Sequence, residues 1–428
     1  MVIDLRTYKN DLKMNKLLLP SLFFIFVSTT LNGQIIMSTG GKSMPDSWID
    51  SATGHQVKRL TNRAGDNMSF YFHNNPFVGN EMIFYGTDQL PANQQNTAIK
   101  QETYNINSKN KQLYKVDLSS NNIEQLTTQT LPMNGEIVGR KRKEIFYQIK
   151  DSIFSTHVET KKTTLIYVFP QDFKGNITCL NADEKLLGGV WSGDSEKELF
   201  KKYPNKSSFF DIIYEAHLPR ILFTIDIQSG QLQKTFTDSA WLNHVQFSPT
   251  DPKLMMFCHE GPWHKVDRIW TIDIEKRIPV KMHTRTMDME IAGHEWFSKE
   301  GNMIWYDLQQ PRSKTFFIAG VSLKTGERKK YSIERNEWSI HFNANKDQSA
   351  FCGDGGNPGQ VARASDGQWI YLFKPEGDKM KSEKLVEMKH HNYKLEPNVH
   401  FSPDGKWVIF RANFEGSTQV YAVSIVKK

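Results

Sequence analysis

Three histidines and an asparagine recur at one step of a repeated phrase, and that recurrence is where chemistry could reside. The phrase is a short strand, a turn resembling Phe-Ser-Pro-Asp-Gly and a second, apolar strand. Three residues before its phenylalanine position stand His244, His294, His341 and Asn398. Side chains alternate along a strand, so a shared register should place all four at one depth around a common axis. Glu396, Asn398 and His400 are spaced two apart and should share one face of their strand. His259 follows the strand that returns after His244, and antiparallel pairing brings both to the same end of the repeat. Asp354 and Arg411 arrive at that end from later repeats. Clustered imidazoles beside carboxylates can exchange protons near neutral pH or hold a divalent cation. Other chemistries find no support. Gly353-Asp354-Gly355-Gly356 is followed by no helix and no lysine, so it is not a phosphate loop, and neither a nucleophile elbow nor an HExxH pair occurs. Lysines are scattered and no basic helix is evident, which speaks against nucleic acid.

The elements that must position these residues are strands. Phe401-Ser402-Pro403-Asp404-Gly405 leads into Lys406-Trp407-Val408-Ile409-Phe410, and related turns start at Phe247 and Phe297. A third strand ending in aspartate recurs as Leu113 to Asp117, Leu222 to Asp226 and Ile269 to Asp273. Four-stranded repeats of this length are propeller blades. Seven begin near residues 67, 134, 175, 242, 290, 337 and 394, so the expected fold is an all-β, seven-bladed β-propeller over 55–428. The last repeat has about three strands, and His55 to Thr61 would supply its outer one and close the ring, leaving no open edge. Residues 34–54 form a lead-in, and the polar, lysine-rich stretch 192–219 reads as an insertion in the third blade.

Composition agrees with a folded chain. Among 428 residues, 24% are charged and 38% hydrophobic, which excludes disorder throughout. The formal charge of +7 suits a polyanionic partner without demanding one. Cys179, Cys258 and Cys352 are too few and too far apart for a disulfide framework. At the N-terminus, the apolar run Leu17 to Val27 follows Lys13 and Lys16 and precedes a small, polar segment, the pattern of a secretory signal over 1–33. The expectation is export to a periplasm, with no membrane anchor once the signal is removed.

Cys258-His259-Glu260-Gly261-Pro262, continuing to Val266-Asp267-Arg268-Ile269-Trp270, resembles the oligogalacturonate lyases, seven-bladed propeller enzymes of pectin breakdown. Ile49 to Gly54 with Val57 to Thr61, Gly293-His294-Glu295-Trp296 and the His341 segment extend the likeness over most of the chain. The resemblance implies β-elimination on short acidic oligosaccharides, with His259 as base. It also implies a manganese ion held by His294 and by a glutamine and two histidines of the last blade. Those last positions are here Tyr393, Glu396 and Asn398, with His400 nearby as a substitute ligand.

Such a reaction removes the proton at C5 of a uronide, next to an existing negative charge, and expels the oxygen at C4. The carboxylate must be neutralised and a base held close. In that scheme Arg268 and Arg220 clamp the carboxylate, Arg268 nearest the chemistry, while His244 and His341 contact sugar or water. His294, Glu396, Asn398 and His400 form the metal side. Alternatives are a lyase for glucuronate or a rhamnose-linked uronide, and a non-catalytic propeller like the translocation-associated periplasmic ones. A glycoside hydrolase would need two facing carboxylates.

Overall fold

The most deeply buried strands are the second of each repeat. Glu144–Ile149, Leu254–Glu260, Met303–Gln309 and Trp407–Ala412 are buried along nearly their whole lengths. Runs such as MIWYDLQ do not alternate because both faces pack against neighbouring sheets. Outer strands such as Thr163–Val168 and Arg328–Ile333 face solvent along most of their lengths.

A computed structural model describes residues 34–87 and 111–428. The chain is a β-propeller. Its antiparallel strands fall into seven sets, spanning 67–125, 134–168, 176–238, 241–281, 291–333, 342–387 and 400–427. The fifth and sixth are joined by one parallel pair, Ser332 with Lys379. His55–Arg59 pairs with the final strand, Gln419–Lys427, and completes the seventh set. The lead-in is part of this sheet. Ser47–Asp50 and Ile36–Met37 add two further strands outside the closing one. Trp48, fully buried, packs edge-on against Tyr421 and Phe414.

Hydrogen bonds between inner strands tie successive sets around the axis. Thr178 donates to the carbonyl of Val245, and Gln246 donates to that of Glu295. The turns explain the repeated phrase. Gly301 and Gly405 hold φ of +64° and +70°, a conformation that glycine adopts without a steric penalty. The insertion folds into two helices, α1 (Asp194–Lys202) and α2 (Lys206–Glu215). The segment read as a signal lies outside the described residues. Among the described residues, no helix is long and apolar enough to cross a membrane.

Candidate active site

The inner strands do not run straight to the mouth where the histidines gather. In the fourth set Asn243 pairs with Cys258 but Gln246 with Met256, so one extra residue is inserted. The same shift separates Gly293 from Trp296 in the fifth. His244 and His294 occupy these bulges, both at φ +47°; Gly135 at +66° lies in a like shift of the second set, and Asn398 holds +54° just ahead of the first strand of the seventh. A bulge of this kind re-aims a side chain and breaks the alternation of the strand. His341 is different: its carbonyl accepts a regular strand bond from Asp354.

A segment of the first set fills the axis. Phe72, 1% exposed, stacks on His341 at 4.7 Å and meets Trp296 edge-on at 6.0 Å. Its backbone N–H donates to Asn398 Oδ1, and its carbonyl accepts from Asn343 Nδ2. Residues 70–74 are thus a plug held by the fifth, sixth and seventh sets.

Above the plug, His294 and His341 lie 5.0 Å apart, ring to ring. Burial disfavours charge on His294, but the Asp307 carboxylate, 2.8 Å from its Nδ1, outweighs it and raises the pKa. Burial, reinforced by the charge on His294, holds His341 well below the ordinary value. The two neighbouring imidazoles are thus pushed in opposite directions, His294 toward its charged form and His341 away from it. Both nitrogens of His341 are engaged, Nδ1 by Asp354 at 2.9 Å and Nε2 by the Tyr71 hydroxyl at 3.2 Å. Burial pushes Asp354 up to about 7. The Glu396 carboxylate, nearly half exposed, lies 3.8 Å from His341 Nε2.

His244 continues this wall, with Nε2 3.3 Å from Glu260. Burial would raise the Glu260 pKa, yet Arg268 and His244 together hold it far below the usual carboxylate range. Arg268 is buried. It bonds Glu260 and Glu295, and its guanidinium lies 4.7 Å from the Trp263 ring centroid. The expected substrate clamp is therefore already saturated by two carboxylates, and its role in this arrangement is to hold the wall. Arg220, the other expected clamp, is 1% exposed and pairs at 2.7 Å with Glu196 of α1, anchoring the insertion. The insertion leans on the Cys258–Pro262 loop. Gly261, at φ +151°, lies so close to Tyr214 that an added Cβ would come within 2.5 Å of it.

His259 sits beside Glu260 in sequence but on the opposite face of the strand. It stacks on Trp270 at 4.6 Å, and its buried Nε2 lies 3.7 Å from Asp238 Oδ2 with no hydrogen-bond partner. Burial lowers its pKa. The alternation that sends Glu260 to the histidine wall necessarily sends His259 away from it.

The four residues expected to hold a metal are not brought together. Asn398 is taken up by the plug, and Nε2 of His400 meets the carbonyls of Tyr71 and Asn74 at 3.2 and 3.1 Å. The left-handed turn at Asn398 defeats the two-residue spacing that was to align Glu396, Asn398 and His400. His294 and Glu396 keep open donor atoms. Among the described residues, one grouping of potential ligands is tight, His244, Cys258 and Glu260 within 4.8 Å. The Arg268 charge on Glu260, and burial that keeps the Cys258 thiol protonated, both oppose a cation there. Sequence reasoning missed Tyr71, Phe72, Glu260, Glu295 and Asp307. The two glutamates directly follow the histidines of their motifs.

The family model of oligogalacturonate lyase matches residues 39–428. The chain is 25% identical to the oligogalacturonate lyase of Dickeya dadantii (strain 3937), over 88% of this chain and 95% of that one. The solved structure of oligogalacturonate lyase from Vibrio parahaemolyticus superposes with a TM-score of 0.74 at 22% identity, covering 89% and 96% of the two chains. An oligogalacturonate lyase in complex with manganese gives 0.73 at 22% identity, covering 91% and 99%. A model that matches from the lead-in strands to the last residue takes in the bulged histidines and the ring closure alike, and on it the chain belongs to the oligogalacturonate lyase family.

Proposed function

We propose that this chain is a lyase that cleaves oligogalacturonides by β-elimination, leaving a 4,5-unsaturated uronate at the new end, as a step in pectin breakdown. The observation that carries the chemistry is the Asp307 carboxylate 2.8 Å from Nδ1 of His294, which favours the charged form of that ring. β-Elimination needs a fixed positive group for the C5 carboxylate and a separate neutral base. His294 supplies the first. Its Nε2 makes no bond among the described residues, and Asp307 favours the charge from the other side of the ring.

A general base needs an open lone pair. His341 has both nitrogens engaged and His244 is paired with Glu260. His259 meets the requirement best. It is uncharged, its buried Nε2 is turned to Asp238, its Nδ1 makes no bond among the described residues and is left to accept a proton, and solvent still reaches 20% of its side chain. In this reading Asp238 orients the ring as His259 takes the C5 proton, and the C4 oxygen then leaves with the bonding electrons. A uronide lying over the end of strand Leu254–Glu260 would touch both of its faces.

A related structure is a complex with manganese; among the described residues here, two of the four expected ligands, Asn398 and His400, are committed to backbone groups. Of the expected four, His294 and Glu396 keep atoms that could hold a cation, and the pair alone is an incomplete set.

Incubation with oligogalacturonides, followed through the ultraviolet absorbance of the new conjugated double bond, tests the reading. His259→Ala should lower turnover by about 10²–10⁴-fold, the usual contribution of a general base, with circular dichroism unchanged. Reducing ends without that absorbance would mark a hydrolase. Activity should survive chelation; loss restored by manganese would overturn the role given to His294. We also propose that residues 1–33 direct export, to be checked by fractionation and by finding residue 34 near the mature N-terminus.

A further inference from the structure

The opposite mouth of the channel carries side chains that the proposed chemistry does not use. Below the plug lies a cavity of about 500 Å³, walled by the hairpin turns that join inner to second strands. Arg140, Lys299 and Lys346 reach it from the turns of the second, fifth and sixth sets, and among the described residues no aspartate or glutamate lines it. Lys346 lies 3.7 Å from Glu300, while Arg140 and Lys299 have no carboxylate partner among the described residues. Burial, with Arg140 beside it, lowers the Lys299 pKa, as expected for cations gathered without anions.

Two buried acceptors line the same cavity. His400, 3% exposed, uses its Nε2–H on two carbonyls, so its Nδ1 is left an acceptor with no partner. Asn343 donates through Nδ2 to Phe72, and its buried Oδ1 is likewise unpaired. Unpaired buried acceptors are costly unless a ligand supplies the missing donors. The aromatic rings of Phe72 and Trp296 complete the cavity.

Cations suit a carboxylate, unpaired acceptors suit hydroxyl donors, and aromatic faces suit the C–H surface of a sugar ring. We propose that this lower mouth is a second binding site, separate from the histidine wall, for an acidic sugar of one or two residues. The volume is within the range of small-ligand pockets. The choice of galacturonate as that sugar rests on the function proposed above; the requirement for an anion bearing hydroxyls does not.

Calorimetric titration of the full chain with galacturonate, galactose and inorganic phosphate tests the site. Galacturonate should bind at least about tenfold more tightly than either of the others, as expected when charged hydrogen bonds and hydroxyl donors are both required. Arg140→Gln with Lys299→Gln should weaken galacturonate by at least about tenfold and leave oligogalacturonide turnover unchanged. His294→Ala should leave this affinity in place. Unaltered affinity in the double variant would overturn the site, and phosphate binding as tightly as galacturonate would overturn the sugar. Arg140-dependent binding of galacturonate by a chain that failed to cleave oligogalacturonides would still uphold the site, so the two readings fail separately.

Discussion

His244, His294 and Asn398 hold a left-handed backbone that bulky or β-branched residues rarely adopt, and histidine and asparagine are among the few non-glycine types enriched there. Their residue type thus answers to the backbone as well as to the chemistry. The pH dependence of kcat/KM follows from the same side chains. His259, with its pKa lowered by burial, must be unprotonated, so activity should rise with pH through a midpoint below the ordinary histidine value of about 6.5. His294, raised chiefly by Asp307 against the opposing effect of burial, must stay protonated, so activity should fall through a midpoint above it. The profile should be a bell, and His294→Ala should remove its alkaline limb along with most of the activity; an unchanged alkaline limb would reject the assignment. The shared histidine register was legible because each copy stands a fixed distance from its turn. The burial of Arg268 was not, because an arginine in a loop gives no sign that two distant glutamates will enclose it.

Strands and turns were the most legible elements. The Phe-Ser-Pro-Asp-Gly phrase dictates a hairpin locally, and the apolar second strands announce burial. The plug had no such phrase. Residues 70–74 fill the axis only because the surrounding sets leave room for one aromatic side chain, a property of the assembled ring. Phe72→Ala should therefore destabilise the fold by about 3–5 kcal/mol, the usual range for a buried phenylalanine, as measured by denaturant unfolding. It should also loosen His341, which stacks on that ring. A loss below about 1 kcal/mol would mean that the site collapses freely and that the plug does not support the histidine wall. The insertion at 192–219 was visible from its composition, but its anchoring by Arg220 through Glu196 depends on a contact between side chains far from any motif.

At the scale of the molecule, stability depends on a clasp between the two ends of the propeller. Val57 pairs with Val423, Leu60 donates to the carbonyl of Val420, and Thr61 with Gln419 locks the corner. Val57→Pro would remove a buried strand position in the middle of this sheet, where proline is not accommodated. Thermal unfolding should then occur at a clearly lower temperature, with loss of lyase activity in parallel; an unchanged midpoint would show that the ring holds without its clasp. The clasp has a consequence for how the protein is made. The segment that completes the circle is synthesised well before its mate, so the two cannot meet until every blade between them has been made. Earlier blades must wait with one edge unsatisfied, and long-range closure of this kind is slow.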